Sequence, residues 1–148
     1  MDHNYWLDDT PIKATLEEKK KIFEEYELWI FRETCKRLNL QQETTFDRNL
    51  LFESLAIHTR LLVDFFYNER NIKYPNDLLA QDLLQNDKNW KEIRLPLTQT
   101  LQEGRYKADK QLAHLSLWRI KLEKDGKKSW DWLKISDDME KIIKEFKK

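Results

Sequence analysis

The stretch TFDRNLLFESLAIHTRLLVDFFY, Thr45 to Tyr67, decides the fold. Leu51, Leu55, His58, Leu62 and Phe65 recur at helical spacing, and neither glycine nor proline interrupts them. Leu61 and Phe66 widen the apolar stripe, so this helix should be buried on more than one side and stand at the centre of the molecule. Upstream, Thr10 and Pro11 offer an N-cap followed by proline at the first helical position, where its missing N–H costs nothing. A long helix is therefore expected from there to the polar break at Asn39 to Thr45, with Leu16, Phe23, Tyr26 and Ile30 facing inward and Trp29 beside them.

Downstream, Asn68 to Pro75 ends the central helix, and Asp77 is placed to cap a short helix through Leu84. A third long helix is expected over residues 97–122 on the spacing of Leu101, Ala108, Leu112, Leu115 and Leu122. Gly104 is its weak point, and Asp125-Gly126 closes it. After a connection from Trp130 to Ile135, Ser136 is the expected cap of a last helix that buries Met139, Ile142, Ile143 and Phe146. The sequence thus predicts an all-α bundle of about five helices in a single domain. The helices near 45–67 and 97–122 form its central antiparallel pair, and residues 1–9 form a loose tail that Trp6 and Leu7 could dock.

Composition agrees. Among 148 residues, Gly 2 and Pro 3 are too few for the frequent turns of a β-sandwich or barrel, while 36% charged residues suits solvated helix faces. The 27 Lys and Arg cancel the 27 Asp and Glu, so no global basic field draws the chain to nucleic acid, and a polyanion site must be a local patch. Cys35 is the single cysteine, which excludes an internal disulfide and a multi-cysteine zinc site. With no leader-like apolar core in Met1 to Asp9 and no span of bilayer length, the expected home is the cytoplasm, with no membrane partner.

On an ideal helix Lys107, Lys110, His114, Trp118 and Lys121 fall within roughly 40° of one line. That stripe would hold a phosphate with its lysines, stack a base on Trp118, and place at His114 the one group able to exchange a proton near neutral pH. The competing reading is a solvated lysine face with an incidental histidine. On the central helix Glu53, Arg60 and Asp64 share one side, with Arg60 one turn from Asp64. They are either a register-fixing ion pair or a group that orients His114 from across the helix pair. His58, on the apolar stripe itself, is expected to be a satisfied core histidine. The Glu-x-x-His spacing of a di-iron bundle, a Gly-rich phosphate loop and a nucleophile elbow are all missing from the sequence.

Asp109-Lys110-Gln111-Leu112-Ala113-His114-Leu115, late in a helical domain of this size, resembles the arginine-and-histidine signature of the HEPN superfamily of small helical ribonucleases and nucleotide-binding proteins. The stretch Glu53 to Phe66 resembles the first helix of that family's central hairpin. The resemblance implies that His114 is the catalytic acid or base, that Lys110 holds phosphate, and that Lys107, Lys121, Trp118 and Arg105 bind RNA, with Glu53, Arg60 and Asp64 in support. It implies cleavage without metal or cofactor, in a homodimer, in a bacterial stress or phage-defence system. Asp109 stands where the family carries arginine, and lysine lacks the bidentate guanidinium fork. The pattern therefore also fits a catalytically silent HEPN-like module that binds a nucleotide or a cognate partner protein.

Overall fold

The computed structural model describes residues 10–41, 44–110, 117–126 and 129–148. It is a helical bundle with no strand among the described residues. The first rod is one uninterrupted helix in three parts: α1 (Leu16–Lys21), a π-wound turn (Ile22–Leu28) and α2 (Trp29–Leu38). Its start lies at Thr15, not at Thr10 and Pro11. The Thr15 hydroxyl accepts from the Glu18 N–H while the Glu18 carboxylate accepts from the Thr15 N–H at 2.7 Å, a reciprocal cap that satisfies two free donors. Those hydrogen bonds hold the Glu18 carboxyl below its ordinary range. Thr10 and Ile12 are instead tied to Asn76, as described below. Thr15→Ala should lower stability by about 1 kcal/mol, read as a fall in melting temperature.

The π turn also changes which side of the rod is buried. Phe23, Leu28, Phe31 and Cys35 are buried, and the step from Phe23 to Leu28 is five residues rather than three or four. Tyr26 and Trp29, expected inward, are therefore carried out to 55% and 56% exposure.

α3 (Thr45–Tyr67) has the bounds read from its sequence, with the Thr44 hydroxyl capping the Asp47 N–H at 3.1 Å. It buries Leu55, Ala56, Leu62, Val63, Phe65 and Phe66 together with His58 and Thr59, as a central helix must. The rod runs antiparallel to it. Phe23 stacks on Phe65 at 4.3 Å, Glu27 meets His58, and Thr34 meets Ser54 at 2.8 Å, so rising numbers on one helix pair with falling numbers on the other.

Beyond α3 the chain forms a 3-10 turn (Ala80–Leu83) and α4 (Trp90–Ile93). The expected cap Asp77 is replaced by Asp82, whose carboxylate accepts from the Leu79 N–H at 2.8 Å. Trp90, legible in the sequence as an interface residue, is a core residue: it is buried, and its indole N–H donates to the Phe66 carbonyl at 2.7 Å. Its ring joins Phe23, Phe65, Phe66 and Phe146 in one aromatic cluster.

α5 (Gln99–Ala108), capped by Thr98, packs antiparallel on α3. The approach is close: a Cβ on Gly104 would lie 3.3 Å from the Thr59 methyl, so glycine here serves packing between helices and is no weak point. The single helix expected over 97–122 is not formed. α6 (Trp118–Lys124) is a separate segment, and the Tyr106 and Trp118 rings meet edge to face at 6.2 Å. One straight helix would hold those residues about 18 Å apart along its axis, so the chain turns back between them. Leu112 and Leu115, expected in the core, lie outside the described residues. Gly126, at φ 67, takes the left-handed conformation that ends α6 as expected. α7 (Trp132–Phe146) begins one turn before the expected Ser136, because the Asp131 carboxylate caps the Lys134 N–H at 3.1 Å. It buries Ile135, Met139, Ile142 and Ile143, and a two-pronged pair from Arg32 to Glu140 fastens it to the rod.

Candidate nucleic-acid site

The packing of α5 on α3 brings together charges that are 41 and more residues apart in the chain. Arg105 Nε donates to Asp64 Oδ1 at 2.5 Å, and the other Asp64 oxygen lies 3.9 Å from Arg60 Nε. Arg60 reaches onward to Asp109 at 3.4 Å, and Asp109 to Lys110 at 3.7 Å. The result is an alternating row, Arg105, Asp64, Arg60, Asp109, Lys110, with one net positive charge and every side chain partly open to water. Such half-exposed pairs add little stability each. Their geometric effect is larger, because each guanidinium is held in place by a carboxylate on the facing helix.

Arg60 and Asp64 thus face the α5 side, as read from their spacing, but the stronger partner of Asp64 is Arg105. Glu53, exposed on α3, takes no part in the row. Lys107 also departs from the expected stripe: its ammonium donates to the Ser129 carbonyl at 2.9 Å and sits over the Trp130 ring. The stripe required one straight helix through residues 107–121, and the turn back of the chain removes that line.

The fold-back makes a different arrangement. Lys110 lies 5.8 Å above the Tyr106 ring, Tyr106 meets Trp118, and Lys121 lies 5.9 Å from the Trp118 ring. Two aromatic faces bracketed by two ammonium groups therefore stand at the two ends of residues 111–116. His114, the expected catalytic residue, falls inside that interval and lies outside the described residues. Tyr106 was not singled out in the sequence, although its place four residues before Lys110 is the signal for it. Charge is concentrated here as well. Residues 99–129 hold eight Lys and Arg against four Asp and Glu in a chain whose total is neutral.

His58 is the satisfied core histidine that its position on the apolar stripe predicts, with Nδ1 2.6 Å from the Glu27 carboxylate. The π turn supplies Glu27 at that point. Among the described residues, no group of three or more His, Cys, Asp or Glu is arranged to hold a metal ion, and no helix is long and apolar enough to cross a membrane.

Cys35 is buried, and that burial pushes its thiol from the ordinary 9.0 up to about 11. Burial favours the neutral thiol, so the stability it contributes is complete below pH 9 and is lost as the pH rises toward 11. Native protein at neutral pH should accordingly leave Cys35 unalkylated by iodoacetamide, and denaturant should expose it to full labelling. Comparison with protein-family models, characterised proteins and solved structures returned no match.

Proposed function

We propose that the chain is a HEPN-like RNA-binding domain and a metal-independent endoribonuclease of a bacterial stress or phage-defence system, working in the cytoplasm as a homodimer. The observation that carries this reading is the pair Tyr106 and Trp118, bracketed by Lys110 and Lys121, at the two ends of the segment that holds His114. Unpaired bases stack on such rings without regard to sequence, and ammonium groups follow the phosphates. His114 takes the proton of a ribose 2′-hydroxyl, whose oxygen attacks the neighbouring phosphorus, and the 5′-oxygen leaves with a proton returned to it. Lys110 steadies the phosphate. Arg60, reaching Asp109 from α3, supplies a guanidinium at the position where the family's own arginine is replaced by Asp109.

A second reading has its own observation. Arg60 and Arg105 are both engaged by carboxylates, and a site whose guanidinium groups are held this way suits a silent module that binds RNA, a nucleotide or a cognate partner protein without cleaving it. Single-stranded RNA incubated with the protein in EDTA separates the two, with cleavage expected on the first reading and binding alone on the second. On either reading Trp118→Ala should weaken RNA binding by about 1–3 kcal/mol through lost stacking. Lys110→Ala should weaken it and flatten its salt dependence, both measured by fluorescence anisotropy across a salt series. Unchanged binding in both variants would remove RNA from this surface.

A further inference from the structure

A groove of about 490 Å³ runs along the outer side of α3 where the π turn leans over it. Its walls are apolar: Ile22 comes from the turn, Ile57, Leu61 and Phe65 from α3, and Leu79 from the loop that follows. Ile22, Ile57 and Leu61 stand 59%, 50% and 46% exposed, so the described chain leaves this surface largely uncovered. A cavity of this size takes a large aromatic side chain and a neighbour.

We propose that the occupant is the chain's own segment before Thr10, with Trp6 and Leu7 seated between the π turn and α3. The described chain begins at the rim of the groove. Asn76 donates from Nδ2 to the Thr10 carbonyl at 3.1 Å and accepts the Ile12 N–H at its Oδ1 at 2.7 Å, and the residues after it, Asp77, Leu78 and Leu79, line the groove. These two bonds span 66 and 64 residues of sequence and fix where the segment is delivered. Trp6 lies four residues before Thr10, within about 14 Å of it when extended, and its indole reaches further.

The segment has the matching chemistry. Tyr5, Trp6 and Leu7 form an apolar run between polar Asp2 to Asn4 and the acids Asp8 and Asp9. Left in water that run forfeits its burial, and seated in the groove it covers Ile57 and Leu61. The tether at Asn76 keeps it near the groove at an effective concentration in the millimolar range, ahead of any free competitor. Arg60 and Asp64 line the same groove, so a seated segment borders the charged row between α3 and α5. The inference stands on the groove and the tether, independently of the RNA reading.

The test uses the full chain labelled with 5-fluorotryptophan, the Trp6 resonance being identified by its loss in Trp6→Phe and the Trp29 resonance by its loss in Trp29→Phe. A soluble gadolinium chelate should broaden the Trp6 line several-fold less than that of Trp29, which is 56% exposed. Ile57→Ala and Leu61→Ala, both at half-exposed positions that folding tolerates, should shift the Trp6 line and raise its broadening. A Trp6 line as broadened as that of Trp29 and unmoved in both variants overturns the proposal. Protection of Trp6 that vanishes on dilution also overturns it, because the segment would then come from a second copy. RNA binding is read separately on the same samples, so its failure leaves this result standing.

Discussion

Leu55→Asp should leave a chain that does not fold. Leu55 has no exposed surface and lies in α3 between the rod and α5, in the cluster that also holds Leu62 and Leu101. Removing a buried leucine costs about 2–5 kcal/mol through lost contacts and the space left behind. Burying an unpartnered carboxylate adds several kcal/mol more, since nothing near Leu55 offers it a charge or a chain of donors. Together they reach the about 5–15 kcal/mol that holds a domain of this size in its native state. Far-UV circular dichroism should lose its helical signal, and no cooperative melt should remain. A melting curve like that of the unaltered chain would mean that α3 faces the core with a different side.

His114→Ala carries the largest expected effect on activity. If His114 moves a proton in RNA cleavage, its loss should lower the rate by about a hundredfold or more and leave the melting temperature nearly unchanged. If it is instead a buried hydrogen-bonding group, the same change should cost about 1–3 kcal/mol of stability with no cleavage to lose. Single-turnover cleavage in EDTA and a melting curve on one preparation separate the outcomes. No cleavage by the unaltered chain on varied RNAs, together with a lowered melting temperature for the variant, would sink the ribonuclease reading.

What could be read in advance was local. α3 was legible to the residue because its period is unbroken, Thr44 caps it, and the polar Asn68 follows it. The true start of the rod was also written in the sequence, as the spacing of Thr15 and Glu18, but the threonine and proline five residues earlier offered a competing start. The π turn left no such signal, because a five-residue step between Phe23 and Leu28 is indistinguishable from two misfit positions in a regular helix. The turn back of the chain between Tyr106 and Trp118 was hidden for a similar reason: leucines at helical spacing run through it. The site suffered most from this. Arg60, Asp64 and Lys110 were named from their spacing, but the pairing of Arg105 with Asp64 across 41 residues belongs to the packing of two helices. Tyr106, placed beside Trp118 only by the fold-back, was missed entirely.

The π turn has a consequence for how this chain tolerates change in its gene. A π turn is an α-helix with one residue too many, so losing a single codon between Ile22 and Leu28 would leave an unbroken helix of ordinary pitch. The two ends of the rod would then no longer agree. Everything before the deletion would swing by about 100° relative to α2, taking Leu16 off the core and the Thr15 cap away from its place beside the Asn76 loop. A stretch that looks robust to deletion as a helix is therefore intolerant of it as a hinge of register, and the extra residue behaves as a fixed character of this architecture.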